Sequence, residues 1–174
     1  MRPSFWALLY SLIFAGICRS TVWYQKAVVD CYMLSRLKRF GVPVGDLVSV
    51  YIGYVRPIVE YACPVWHGSI NAHQTQQIER IQKRACRIIL GSTYALYTDA
   101  LALTGLQMLE ERRLHLCTQF AKKCTTSEKY AGWFPLNNSS HSMCLRNTRT
   151  YQAPKFRTDR YGNSPIPYLT GLLN

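Results

Sequence analysis

A regular spacing of apolar residues between positions 73 and 90 constrains the fold of this chain more than any other feature. The apolar residues recur every three or four positions, at Ile78, Ile81, Ala85, Ile88 and Ile89. This period places them on one face of an α-helix. Gly91 suits the C-cap of that helix, and either Asn71 or Thr75 could cap its start. The chain therefore contains a long amphipathic helix whose apolar face needs other helices to cover it.

Three further segments show helical patterns, at residues 22–39, 98–103 and 109–124. The segment 109–124 begins with acidic residues and ends with lysines, and the segment 22–39 ends with basic residues. In both segments these charges complement the helix dipole. Gly105 is expected to end the middle segment. These patterns predict an all-α fold, a small helical bundle.

The region before the long helix is harder to assign. Residues 44–55 are apolar on nearly every face, which is typical of a helix in the middle of a bundle or against a neighbour that this chain lacks. Pro57 predicts a kink or a break at Arg56, followed by a short turn to Ala62. Residues 63–68 are expected to form a loop or a brief extended turn.

The sequence suggests a division into three parts. Residues 1–21 contain an apolar run that is similar to the hydrophobic region of a secretory signal, and a spurious N-terminal stretch is the alternative. Residues 22–127 would form the helical domain. Residues 128–174 would form an irregular basic tail, because prolines and basic residues dominate there.

The charge balance favours polyanionic partners. Lys and Arg number 21 against 9 for Asp and Glu, which gives a net charge of +12. Nucleic acid is the first expected partner, and an anionic membrane surface is a second and much less favoured one. The candidate phosphate-binding residues are Arg80, Lys83, Arg84 and Arg87 on the long helix, with Arg36, Lys38 and Arg39 at the end of the 22–39 segment. The alternative is a basic helix face that only meets solvent.

Two aromatic residues precede the long helix. Tyr61 and Trp66 could stack on a base or a sugar. Aromatic residues at a proline-bounded turn more often pin that turn to the core, and we favour this second interpretation. Further along the chain, Arg112 and Arg113 follow two glutamates and are expected to lie on a mixed surface face.

Residue types that carry catalysis are scarce and scattered. The aspartates are Asp30, Asp46, Asp99 and Asp159. No two of them have the short spacing that a two-metal polymerase site would use. The seven cysteines include no CxxC pair, and most lie in apolar patterns where a free thiol behaves as a small hydrophobe. We therefore expect no enzyme activity by the chain alone, no cofactor and no metal site.

Several motifs resemble a known family. The segments RPIVEYACPVWH at residues 56–67 and QIERIQKRACRIILG at residues 77–91 resemble reverse transcriptases of non-LTR (LINE-type, jockey-like) retrotransposons. The similarity continues through residues 94–113 and 120–124. It extends to RTDRYGNSPIPYL at residues 157–169, which is similar to the end of those polyproteins.

The resemblance implies that this chain is the thumb and post-thumb region of such an RNA-directed DNA polymerase, as a truncated fragment. In that family the thumb is a helical subdomain that grips the template–primer duplex. The catalytic aspartates lie in the palm, whose sequence this chain does not contain. The resemblance thus implies a thumb-like bundle with sequence-independent binding to RNA–DNA or another duplex, and a palm domain as a second partner.

Two alternatives remain open at this level. If residues 1–20 act as a signal or an anchor, the chain is a secreted or membrane-tethered basic interaction protein, and Asn137 and Asn138 become glycosylation acceptors. Otherwise a nuclear or cytoplasmic location is expected. The other alternative is a chain without function, whose polypeptide is unstable.

Overall fold

A computed structural model describes residues 21–137 and 149–174 of the chain. Within these ranges the chain is helical and has no β-strand, apart from an isolated antiparallel bridge between Leu136 and Tyr151. The predicted all-α class is confirmed. The apolar segment assigned to residues 1–21 lies outside the described residues except for Thr21, and so does the candidate acceptor Asn138.

The chain divides into two compact units. The described part of the first unit comprises residues 21–62 and 70–112, and the second unit contains Cys63–Ser69 together with the described residues that follow Arg112. This division differs from the boundaries expected at residues 22–127 and 128–174. The reason is that Cys63–Ser69 packs with the C-terminal helix of the chain, and sequence alone does not reveal that pairing.

The helices of the first unit are α1 (Thr21–Arg39), α2 (Val44–Val50), α3 (Arg56–Glu60), α5 (Ala72–Leu90) and α6 (Tyr97–Thr104). The helices of the second unit are α4 (Cys63–Trp66), α8 (Asp159–Gly162) and α9 (Pro165–Leu173). Helix α7 (Leu109–Thr126) begins in the first unit and continues into the second. None of the helices in the described ranges combines the length and the apolarity that crossing a membrane requires.

Helix α5 has the boundaries that its sequence predicts. Asn71 is the N-cap: its side chain accepts a hydrogen bond from the Gln74 backbone N–H at 2.8 Å, and the Gln74 side chain accepts from the Asn71 N–H at 3.0 Å. This reciprocal pair satisfies two N–H groups that the first turn leaves without helical partners. Asn71 rather than Thr75 is therefore the cap. Gly91 ends the helix at a φ of 59°, which favours glycine.

Helices α1 and α5 form the main packing of the first unit. The buried apolar residues at the described positions of the two helices are Cys31 and Leu34 on α1 and Ile78, Ile81, Ala85, Cys86, Ile89 and Leu90 on α5. Burial raises the pKa of the Cys31 and Cys86 thiols to about 11, so both stay protonated at neutral pH. These cysteines act as small apolar residues, as expected.

The segment from Val44 to Glu60 is buried on one side only. Its buried residues are spaced by four: Leu47, Tyr51, Val55 and Val59. Val44 and Tyr54 are exposed, so the described part of this chain does not bury the segment on every side. The other explanation of its apolar composition, a neighbour that this chain lacks, stays a prediction.

Pro57 does not break this segment at Arg56. Residues Tyr51–Val55 form a π-helical turn in which the Arg56 N–H donates to Tyr51 O, and helix α3 continues to Glu60. Because proline cannot donate a backbone hydrogen bond and crowds the preceding turn, a wider turn directly before it relieves both problems. The chain changes direction later, at Ala62, whose φ is 51°.

Two segments of the second unit are more regular than the sequence suggests. Residues 63–68, expected to be a loop or a brief extended turn, lie in helix α4 and in a 3₁₀ turn at His67–Ser69. The tail, expected to be irregular, contains α8 and α9, and its residues Leu169 and Thr170 are buried. Pro165 falls at the first helical position of α9, where its fixed φ favours a helix start rather than a break.

Close contacts hold α9 in the second unit. Ser69 Oγ donates a hydrogen bond to Asn163 O at 2.8 Å. A Cβ placed on Gly68 would lie 2.5 Å from the ring of Tyr168, so glycine is needed at that position for α9 to approach. The Asn174 side chain accepts from Tyr151 N–H and donates to Tyr151 O, which ties the last residue to the tail.

Candidate nucleic-acid interface

The predicted basic residues of α5 share one face of the helix. Arg80, Arg84 and Arg87 are exposed and Lys83 is half-buried. At about 100° per residue, the three arginines fall within about 60° of the helix circumference, and Lys83 borders them. We call these four residues the cationic face. It extends over about 10 Å of helix axis, since each residue adds about 1.5 Å.

Two tyrosines that the sequence analysis did not single out support the cationic face. Lys83 Nζ lies 4.9 Å from the centroid of the Tyr97 ring, and Arg87 Cζ lies 5.3 Å from that of Tyr94. Both distances are in the range of a cation–π interaction. No local pattern predicts these contacts, because they depend on how the chain reverses after Gly91.

A fully buried polar residue lies on the opposite side of α5. The Gln82 side chain accepts a hydrogen bond from the Tyr51 hydroxyl at 2.7 Å. Its amide nitrogen donates to the Tyr97 hydroxyl at 3.0 Å and to the Gln107 carbonyl at 2.8 Å. These bonds join three separate segments of the first unit to α5. Burial raises the pKa of the Tyr51 phenol well above its usual value, so the hydroxyl remains a donor.

Glu79 extends this network to the start of α7. The Tyr97 hydroxyl donates to Glu79 Oε1, and the Leu109 N–H approaches the same oxygen at 3.4 Å. A carboxylate is favourable there, because the first N–H groups of a helix carry partial positive charge. Burial, followed by the hydrogen bond to Glu79, raises the pKa of Tyr97 far above its usual value. The network therefore fixes the ring on which Lys83 lies.

The second predicted basic group is only partly available. Arg36 and Arg39 are exposed at the end of α1. Lys38 instead donates from Nζ to Ile89 O at 2.9 Å, so one of its three donors is used within the protein, and its role as a phosphate ligand stays a prediction. The ammonium satisfies a carbonyl at the C-terminal end of α5, where the helix dipole favours a cation. This bond also brings the C-terminal turns of α1 and α5 together.

The two candidate stacking residues have different environments. Trp66 is 5 % exposed and Arg113 Cζ lies 5.7 Å from the centroid of its indole ring. Trp66 therefore packs the turn against the core, which is the interpretation favoured from the sequence. Its buried ring cannot stack on a base in this structure. Tyr61 is 76 % exposed. Arg113, expected at the surface, is fully buried because it falls on the buried side of α7 together with Leu109.

The second unit contains titratable side chains whose pKa values are shifted by burial and by their neighbours. A hydrogen bond to Cys63, followed by burial, raises the pKa of the Cys117 thiol far above its usual value. Burial and the charge of Arg113 lower the pKa of His67 to about 4. His67 Nδ1 is buried and has no hydrogen-bond partner among the described residues, and its ring meets the Tyr168 ring edge-on at 5.8 Å. His67 is therefore a neutral packing residue.

The environment of His67 predicts a pH dependence of stability. The unfolded chain binds a proton at a pKa near 6.5, whereas the folded protein does so only near 4. Between these values the unfolded state holds more protons, so the free energy of unfolding falls as the pH falls from about 6.5 to about 4. Above pH 6.5, His67 does not contribute to the change of the free energy of unfolding with pH. Urea unfolding at several pH values in this window measures the effect.

Two variants test whether His67 is the source of this decline. His67→Gln should flatten the decline of stability between pH 6.5 and 4. His73→Gln should leave the decline unchanged, because His73 is exposed on α5. An identical decline in the unaltered chain and in His67→Gln would contradict the assignment.

No cluster of three or more His, Cys, Asp or Glu side chains that could hold a metal ion is present in the described ranges. The aspartates lie on separate helices, with Asp30 on α1, Asp46 on α2, Asp99 on α6 and Asp159 on α8. Comparisons with protein-family models, with curated proteins and with solved structures find no match for this chain.

Proposed function

We propose that this chain is the thumb and post-thumb region of a non-LTR retrotransposon reverse transcriptase, and that it binds an RNA–DNA or other duplex through the phosphate backbone. The observation that carries the proposal is the cationic face of α5. This face lies within residues 77–91, one of the segments whose amino-acid sequence resembles that of the family. The proposed location is nuclear or cytoplasmic, where such a duplex would be met.

The cations of this face are available to a ligand. The salt bridges among the described residues use other cations, since Glu60 pairs with Arg112 at 2.6 Å and with Arg56 at 3.9 Å. Arg80, Arg84 and Arg87 are exposed. An arginine can donate two parallel hydrogen bonds to one phosphate, so the face suits phosphate oxygens better than a neutral ligand.

The spacing of these residues is compatible with a nucleic-acid backbone. Duplex DNA rises about 3.4 Å per nucleotide of one strand, so about 10 Å of α5 matches roughly three steps. Contacts of this kind give affinity without sequence preference. The exposed Arg36 and Arg39, which Lys38 brings near the end of α5, would add to the same electrostatic field.

In this proposal the chain has no catalysis of its own, and a palm domain is its second partner. Val44 and Tyr54 of the Val44–Glu60 segment are exposed, and in this proposal the palm domain covers them. A palm domain supplied in trans should slow amide exchange over residues 44–58. Unchanged exchange would exclude that surface.

Fluorescence anisotropy with a labelled RNA–DNA duplex tests the binding function. The triple variant Arg80→Ala, Arg84→Ala, Arg87→Ala should lower affinity at 50 mM salt by about tenfold or more. The slope of log K against log salt should become shallower by roughly 3, since each phosphate contact contributes about 0.9. Titrations at salt concentrations from 50 to 200 mM give both quantities.

The matched control removes the same charge elsewhere. Lys122, Lys123 and Lys129 are exposed, and replacing all three with alanine changes the net charge equally. This control should keep the salt slope and lose little affinity. The proposal would be overturned if the unaltered chain did not bind at low salt, or if the two triple variants behaved alike.

A further inference from the structure

The chain reversal after α5 brings two aromatic rings back to the cationic face. Gly91 ends the helix with a positive φ, a 3₁₀ turn follows at Gly91–Thr93, and α6 begins at Tyr97. The Tyr94 ring then lies under Arg87, and the Tyr97 ring lies under Lys83. Among the described residues, Arg80 and Arg84 have no such ring.

The Tyr97 ring and the Tyr94 backbone are held by contacts that do not involve the cations. The Tyr97 hydroxyl is fixed between the Gln82 amide and the Glu79 carboxylate. Tyr94 is half-buried, and its backbone N–H donates to Gly91 O at 3.3 Å. The rings can therefore restrict the Arg87 and Lys83 side chains before a ligand binds.

We propose that Tyr94 and Tyr97 are positioning residues of the cationic face, which hold Arg87 and Lys83 in place for the phosphates of a duplex. This inference rests on the proposed function. Long cationic side chains lose rotamer freedom when they bind, and that loss opposes association. A ring that already confines the side chain reduces the loss, so affinity rises without an additional phosphate contact.

Tyr94 gives the cleaner experiment, because Tyr97 also belongs to the buried network. Tyr94→Leu removes the ring, and Tyr94→Phe keeps it. We expect Tyr94→Leu to weaken duplex binding by about 2- to 5-fold and Tyr94→Phe to bind like the unaltered chain. The salt slope should stay unchanged in Tyr94→Leu, whereas Arg87→Ala should make it shallower by about 1, because only the latter removes a phosphate contact.

A double variant distinguishes positioning from a general structural effect. In the Arg87→Ala background, Tyr94→Leu should have no further effect on binding, since the side chain that it positions is gone. Tyr94→Met serves as a second variant if Tyr94→Leu loses helix content by circular dichroism. The inference is overturned if Tyr94→Leu and Tyr94→Phe bind the duplex with the same affinity, or if Tyr94→Leu still weakens binding in the Arg87→Ala background. Neither result would contradict phosphate binding by the cationic face. Absence of duplex binding by the unaltered chain overturns the proposed function instead.

Discussion

Replacing Gln82 with alanine is expected to lower the free energy of unfolding of the first unit by about 3 kcal/mol. Gln82 is fully buried and makes the hydrogen bonds that join Tyr51, Tyr97 and the Gln107 carbonyl to α5. Alanine would leave the buried Tyr51 hydroxyl without this partner and would remove the hydrogen bond to the Gln107 carbonyl. Each buried polar group left unsatisfied costs about 1–3 kcal/mol. Urea unfolding followed by circular dichroism measures the change.

Two variants control this experiment. Gln76→Ala lies on the exposed side of the same helix and should change stability by no more than about 0.5 kcal/mol. Adding Tyr51→Phe to Gln82→Ala removes the stranded hydroxyl and should restore about 1 kcal/mol. If Gln82→Ala were as stable as Gln76→Ala, the buried network would not be what joins these segments.

Replacing Trp66 with alanine is expected to destabilise the second unit by about 3–5 kcal/mol, the usual cost of truncating a buried tryptophan. Trp66 is 5 % exposed in the short helix α4, and Arg113, which is fully buried, lies over its ring. Truncation would open a cavity and remove the aromatic face that this guanidinium contacts. The change is measured by urea unfolding.

The comparison with Tyr61 decides between packing and base stacking. Tyr61→Ala removes an exposed ring from the preceding turn and should lower the free energy of unfolding much less than Trp66→Ala does. Under conditions where the protein stays folded, Trp66→Phe should bind duplex with unchanged affinity and salt slope. A tryptophan that stacked on nucleic acid would give the reverse result, with stability kept and binding lost in Trp66→Ala.

The boundaries of the long helices follow from the sequence because their determinants are local. The capping pair Asn71–Gln74 and the terminal Gly91 enclose the apolar period of α5 within a single stretch of chain. Gly105 ends α6 in the left-handed conformation in the same way. Interactions between residues three or four positions apart, together with caps, need no knowledge of the remaining fold.

Polar residues within the buried sides were missed, although a signal was present. Gln82 lies four residues after Ile78 and three before Ala85, which is the spacing of the buried side of α5. Arg113 lies four residues after Leu109 and four before Cys117 on α7. Glutamine and arginine are usually found at the surface, whereas the helical spacing of Gln82 and Arg113 indicated the core. Their partners are distant in sequence, so no local reasoning could supply them.

The sequence by itself determined the all-α class, the limits of α5 and the grouping of Arg80, Arg84 and Arg87 on one side of it, because helical geometry converts local spacing directly into a shared face. Only the tertiary structure decided that Lys38 caps α5, and that Tyr94 and Tyr97 lie under two of the cations. The physical reason is that these contacts join residues from different helices and turns. Their geometry exists only after the chain has reversed and packed.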